Sequence, residues 1–176
     1  MSIFQTNMSG PLALNVEDGT NYGAGAEMKL HETTWSRGDV CQFFNAANAA
    51  IDGVSTNKLN SLDGTLANGG IVDAGSFQFV GIVTSKDTVP EGYEGSVVTH
   101  GKCVANVWFR DNTGVVGINE GDPVYLVIGE KYLSATSVIT GKTIGRIVGV
   151  AAQTVAAASL AEGAHPIRII LKGDPL

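Results

Sequence analysis

Charge is scarce in this chain, and the charge that is present is mostly negative. Only 16% of its 176 residues are Asp, Glu, Lys or Arg, against about 25% in an average globular protein. Seventeen acidic and eleven basic residues give a net charge of -6, and no two basic residues are adjacent. Because a surface that binds nucleic acid needs concentrated positive charge, we do not expect a nucleic-acid partner.

Long apolar runs and a leader-like start are also missing. No apolar run approaches the roughly 20 residues that would span a bilayer. Residues 1–7 have neither the basic start nor the apolar core of a signal peptide. We therefore expect no membrane partner and synthesis in the cytoplasm. Such low charge on a small protein further suggests that much of its surface is not ordinary solvated surface.

Cysteine is limited to Cys41 and Cys103, which stand far apart in apolar, strand-like segments. The favoured interpretation is two buried, reduced thiols. A disulfide between them stays open, because spacing alone does not decide it.

Recognisable catalytic, metal-binding and phosphate-binding patterns are absent. The segment His31-Glu32-Thr33-Thr34-Trp35 begins like a zinc-binding helix motif but has Trp where the second His must stand. His100 and His165 are isolated, which is typical of surface or interface histidines. The segment 111–114, Asp-Asn-Thr-Gly, lacks the further acidic ligands of a calcium loop and is interpreted as a turn. We therefore expect no enzyme, no metal and no cofactor.

Glycine, in contrast, is abundant, with 23 residues placed between short apolar runs. This pattern indicates many tight turns and predicts a mostly β fold, a small β-barrel or sandwich of about eight short strands. Gly10-Pro11 prevents a continuous helix near the start, so we expect an extended arm over residues 1–14. Residues 15–176 then form a single β domain with a loop-rich insertion at about 45–76.

The predicted strands are clearest from residue 77 onward. In the earlier part, Gly23 and Gly25 are expected to break the chain before a strand in which Leu30 faces inward and His31 outward. The alanine-rich segment 151–164 is either one short helix or a loop. The remaining predicted strands are 40–44, 77–84, 96–109 with a bulge at Gly101, 124–128, 132–134 after a hairpin turn, 144–150 and 167–171.

Two segments look alike, Ser36–Val40 and Asn119–Val124. Each places Gly-Asp just before a strand, where glycine permits a turn and the Asp side chain can accept a hydrogen bond from a backbone N–H. The tripeptide Arg37-Gly38-Asp39 is one that some cell-surface receptors recognise. Since the Gly-Asp step recurs without Arg at Gly121-Asp122, we interpret it as a turn.

The order of these segments resembles that of the small capsid decoration proteins, also called cement proteins, of tailed bacteriophages. The order is Gly-Asp-Val, Phe-Val-Gly-Ile-Val, a strand through Val104, Gly-Asp-Pro-Val-Tyr, Ile-Gly-Arg-Ile-Val-Gly-Val-Ala and Ile-Arg-Ile-Ile-Leu. The resemblance covers residues 36–44 and 77–171 and is strongest over 121–171. The stretch 45–76 departs from it.

The resemblance implies a virion structural protein that binds the outer surface of an icosahedral capsid and stabilises it. Its expected partners are the major capsid protein and itself, as a homotrimer. The open alternative is a carbohydrate-binding or host-adhesion β module, in which Trp35, Trp108 and tyrosines stack on sugar rings. The candidate capsid or subunit contacts are Ile3, Phe4, Met8, Leu12, Trp35, Phe43, Phe44, Trp108 and Phe109. For the aromatic residues among them, a position in the hydrophobic core is the open alternative.

Overall fold

The computed structural model describes residues 22–43, 67–72 and 80–172. This part of the chain is mostly β, as predicted, and contains one short 3₁₀ helix, Ala157–Ser159. It holds no helix that is long and apolar enough to cross a bilayer. Its nine strands are β1 (Tyr22–Leu30), β2 (Val40–Phe43), β3 (Ala67–Gly70), β4 (Val80–Val83), β5 (Glu94–Trp108), β6 (Pro123–Val127), β7 (Leu133–Ser134), β8 (Ile144–Ala151) and β9 (Ala164–Leu171).

The strands form one continuous sheet that folds back on itself on both sides of β5. In the first circuit, pairing runs from β1 through β3, β2 and β4 to the amino-terminal part of β5, which pairs with β1 again. In the second circuit, pairing runs from the carboxyl-terminal part of β5 through β7, β6 and β8 to β9, which pairs with β5 again. The fold is therefore sandwich-like rather than one closed barrel.

Each strand of the second circuit has a counterpart in the first circuit. β1 pairs in parallel with β3 and antiparallel with β5, and the carboxyl-terminal part of β5 pairs in the same two ways with β7 and β9. β2 lies between β3 and β4 as β6 lies between β7 and β8. The registers agree too: Ala26–Val97, Glu27–Ser96, Met28–Gly95 and Lys29–Glu94 in the first circuit match Cys103–Ile169, Val104–Arg168, Ala105–Ile167 and Asn106–Pro166 in the second.

The two Gly-Asp segments form the same turn in both circuits, each at the entry to the strand that follows. Asp39 Oδ2 accepts a hydrogen bond from the Ser36 amide at 2.9 Å, and Asp122 Oδ2 accepts one from the Asn119 amide at 2.8 Å. The glycine before each aspartate has a φ of 88° or 91°, a conformation that L side chains rarely adopt. The prediction of two capped turns is confirmed.

Two hydrophobic clusters fill the fold. The smaller one lies in the first circuit, and the main one joins residues of both circuits. Val40 and Cys41 are neighbours in β2 but belong to different clusters, and so do Val98 and Val97 in β5. Since successive side chains of a strand point to opposite faces, these strands are buried on both faces.

Two predictions about the first circuit were wrong. β1 runs from Tyr22 through Gly23 and Gly25, which we expected to break it, because pairing along β5 overrides their low strand propensity. Ala67–Gly70, expected within the loop-rich insertion, forms β3 between β1 and β2. The rest of that insertion, except for residues 71 and 72, and the predicted arm lie outside the described residues.

His31 is buried, with 9% of its surface exposed, so its predicted outward orientation was also wrong. The chain leaves the strand after Leu30, and Glu32 takes a φ of 72°. Trp35 is then placed so that its Nε1 donates to the His31 carbonyl at 3.0 Å. Period-two alternation therefore ends with the strand, one residue before His31.

Two further predictions differ in detail. The register of β1 against β5 shifts by one residue at Thr99, so the bulge lies two residues before Gly101. Gly101 itself has a φ of 99°. The alanine-rich segment 151–164 is mostly loop, with the single 3₁₀ turn inside it.

Asp39 also joins the two circuits. Its Oδ1 accepts a hydrogen bond from Asn106 Nδ2 at 3.0 Å, and its Oδ2 lies 3.3 Å from Lys131 Nζ. Lys131 Nζ further donates to the Thr34 carbonyl at 2.7 Å. The Asp122 carboxylate makes only its turn bond among the described residues. The turn aspartate therefore bonds only within its own turn in the second circuit, whereas in the first circuit it belongs to a hydrogen-bond and ion-pair network that joins the two circuits.

This difference predicts unequal effects of two matched substitutions. Asp122→Ala loses one capping bond and should lower the free energy of unfolding by about 1 kcal/mol. Asp39→Ala leaves Lys131 and Asn106 without their carboxylate and should lower it by about 3 kcal/mol. Urea unfolding followed by circular dichroism measures both, with exposed Asp87→Ala as the control. Equal losses would contradict the inter-circuit role of Asp39.

Both cysteines are free and buried, which confirms the prediction of reduced thiols. Burial raises the pKa of the Cys41 thiol and that of Cys103 to about 12. An unfolded cysteine has a pKa of about 8.5. The folded state therefore keeps two protons that the unfolded state releases in alkaline solution.

Stability should accordingly fall as the pH rises above about 8.5, and continue to fall toward the folded pKa of about 12. Urea unfolding at a series of alkaline pH values measures the slope. The Cys41→Ala/Cys103→Ala variant, compared over the same pH series, should show a shallower decline. An identical slope in the two proteins would show that the thiols do not cause it.

Candidate functional site

An apolar patch is exposed on the outer side of the second circuit. Ile147 in β8 is 48% exposed and Ile170 in β9 is 38% exposed. Ile147 lies opposite Tyr125 of β6, and Val150 lies opposite both Pro123 and Ile170. Since residues paired across antiparallel strands share a face, these five residues form one surface, called here the outer apolar face.

The corresponding row in the first circuit is buried. Val40 pairs with Ile82, which pairs with Val98, and this row matches Pro123, Val150 and Ile170 in the repeat. The first-circuit residues belong to the main core cluster and are at most 1% exposed. The same face is therefore covered in one circuit and uncovered in the other.

The outer apolar face carries positive charge beside it. Strands β6, β8 and β9 contain no Asp or Glu. Lys102, opposite Ile170 on β5, is exposed, as are Arg168 and Lys172. In a chain with a net charge of -6, this side is locally basic, so its electrostatic complement is an acidic surface.

A groove of about 530 Å³ lies at the end of β5. Its floor includes Trp108 and Tyr132, whose rings stack with centroids 5.3 Å apart and an interplanar angle of 24°. Trp108 Nε1 is shielded from solvent and has no acceptor among the described residues. Parallel pairing of β5 with β7 brings the two rings together, because Tyr132 directly precedes β7.

Two ion pairs line this groove, Arg110 with Glu162 and Lys142 with Glu130. The hydrogen bond to Glu130 is the main cause that raises the pKa of Lys142. The pKa of Tyr132 is raised mainly by burial, with a further contribution from the negative charge of Glu130. Lys142 is therefore charged and Tyr132 neutral throughout the neutral pH range.

The predicted turn at 111–114 closes one side of the groove. Asp111 Oδ1 accepts hydrogen bonds from the Thr113 amide at 2.6 Å and the Gly114 amide at 3.0 Å. The Thr113 hydroxyl also donates to it, and these bonds lower the pKa of Asp111. Within residues 22–43, 67–72 and 80–172, no three His, Cys, Asp or Glu side chains are grouped to hold a metal ion.

The residues proposed from sequence as capsid or subunit contacts lie in different environments in the structure. Trp35 and Phe109 are 0% and 1% exposed, so they occupy the core, which was the open alternative. Trp108 is half-buried and lines the groove. Phe43 lies in β2, with a side chain outside the described part. Outside the described residues altogether are Ile3, Phe4, Met8, Leu12 and Phe44.

Sequence reasoning missed the outer apolar face and Tyr132. The run Ile147-Val148-Gly149-Val150 predicts a strand, but such a run has no polar alternation to show which side chains are exposed. The similarity of the two Gly-Asp segments was the available signal for a repeat, but only the strand registers align Ile170 with Val98, because the Gly-Asp segments lie 83 residues apart and these two residues lie 72 apart.

Comparison with protein-family models, curated proteins and solved structures found no match to this chain.

Proposed function

We propose that this chain is a structural virion protein that binds and stabilises the outer surface of an icosahedral phage capsid, as a decoration or cement protein. The proposal starts from the order of Gly-Asp turns and strands in the sequence, which resembles that family. Its physical support is the outer apolar face.

The outer apolar face supports the proposal because its exposure can be compared with that of the equivalent row in the first circuit. The row Val40, Ile82 and Val98 is covered by the main core, whereas Ile170 in the equivalent row is 38% exposed. Burying a fully exposed Ile side chain contributes about 1.5–3 kcal/mol. Ile147 and Ile170 are 48% and 38% exposed, so a partner that covers both would gain about as much as the burial of one fully exposed Ile side chain.

The partner's surface should be apolar at its centre and acidic at its edge, to complement Ile170 with Lys102 and Arg168. We assign this role to the major capsid protein, with self-association into a homotrimer as part of the proposal. On a lattice, many contacts of this size act together, because multivalent attachment raises the overall affinity.

Co-sedimentation with expanded, undecorated phage capsids tests the proposal. We expect saturable binding of the full chain. Ile170→Asp should weaken binding at least about tenfold, because it places a charge in the contact. Tyr93→Asp is the matched control, since Tyr93 is 65% exposed in the first circuit and should not affect binding.

A variant without residues 1–14 belongs in the same experiment. Weaker binding by this variant would place the arm, with Ile3, Phe4, Met8 and Leu12, at the contact. No sedimentation of the full chain would contradict the capsid role. Binding that is equal for the full chain and Ile170→Asp would exclude the outer apolar face as the contact.

A further inference from the structure

We propose that the groove at Trp108 and Tyr132 binds a neutral saccharide. This inference goes beyond the proposed capsid role and does not depend on it, because the groove and the outer apolar face are separate sets of residues. The volume of about 530 Å³ lies within the range of small-molecule sites.

The aromatic pair supplies the apolar part of such a site. Sugar rings present C–H groups on their faces, and Trp and Tyr offer large flat surfaces with a polar end. The stack of Trp108 on Tyr132 holds both rings in place. A pre-organised platform of this kind loses little conformational entropy when a ligand binds.

The indole nitrogen supplies a hydrogen-bond donor in need of an acceptor. Trp108 Nε1 is buried, and no described residue accepts its hydrogen. A buried donor without an acceptor costs free energy. A sugar hydroxyl would accept this bond after a small shift of the indole ring brings Nε1 to the surface of the groove.

The charges of the groove disfavour an anionic ligand. Arg110 is paired with Glu162 and Lys142 with Glu130, so an anion would have to compete with an existing ion pair, and the Asp111 carboxylate adds a further negative charge to the lining. A hydroxyl can accept from Arg110 and donate to Glu162 while the pair remains together. Vicinal hydroxyls of a saccharide match this arrangement of adjacent donors and acceptors.

A peptide ligand is less well matched to the site. Peptides commonly bind by adding a strand to an unpaired sheet edge. Trp108 is paired on both sides, with Ser134 of β7 and Ala164 of β9. The backbone of β5 at Trp108 therefore offers no free edge to an extended chain.

Tryptophan fluorescence and saturation-transfer NMR test the proposal on the intact protein. The probes are glucose, galactose, N-acetylglucosamine and their disaccharides, with sialic acid as the charged comparison. The chain has two tryptophans, and Trp35 is 0% exposed, so a fluorescence change reports on Trp108. We expect at least one neutral saccharide to bind saturably, with a dissociation constant on the order of millimolar, and sialic acid to bind more weakly.

Variants locate the binding. Tyr132→Ala should weaken it about tenfold by removing the ring that stacks on Trp108 and holds it in place. Trp108→Phe keeps an aromatic ring but loses the donor, and NMR should show binding weakened by about fivefold. Tyr93→Ala, which removes an exposed tyrosine in the first circuit, is the control and should leave binding unchanged.

Glu162→Gln provides a test that does not depend on the core, because the Glu162 side chain is 63% exposed and this substitution cannot disturb packing. It should weaken binding by several-fold, because the amide keeps one acceptor oxygen but loses the negative charge and the second acceptor oxygen of the carboxylate. The proposal is overturned if no neutral saccharide binds in the NMR experiment. It is also overturned if sialic acid or an unrelated peptide binds more tightly, or if Tyr132→Ala and Glu162→Gln both bind like the unchanged protein.

Discussion

The fold depends on one strand that satisfies two circuits of backbone hydrogen bonds. β5 is 15 residues long and pairs with β1 and β4 in its first part and with β7 and β9 in its second. The register shift at Thr99 lies between these parts. Because a bulge inserts one residue, it exchanges the faces of the strand: Val98 and Cys103 therefore both reach the main core.

The repeat explains how a chain with so few charges folds into one unit. The outer row of the first circuit is packed into the core that fills the second, and Asp39 ties the turn of one circuit to Asn106 and Lys131 beside the other. Within the described part of the chain, the equivalent row of the second circuit is partly exposed. The apolar surface proposed to bind a partner therefore lies on the outer side of the second circuit, whereas the interior residues pack the two circuits together.

Strand content, the hairpin between β6 and β7 and both Gly-Asp turns were predictable from sequence, because glycine positions and apolar runs act locally. The burial of His31, the pairing of Ala67–Gly70 and the exposure of Ile147 were not, because each depends on which strands become neighbours. The aromatic candidates show the same limit. Trp35 and Phe109 fill the core, whereas Trp108, on the outward row of β5, meets Tyr132 only through the pairing of β5 with β7.

In solenoid proteins, stacked repeats bury each other's faces, and the last one carries a polar cap that ends the stack. Among the described residues, the second circuit occupies that last position without such a cap, since Ile147 and Ile170 remain exposed on its outer side. This end of the molecule is therefore apolar, with exposed basic residues beside it. One way of mounting it on a surface is favoured over the reverse, so an array of bound copies would present the first circuit uniformly to the surroundings.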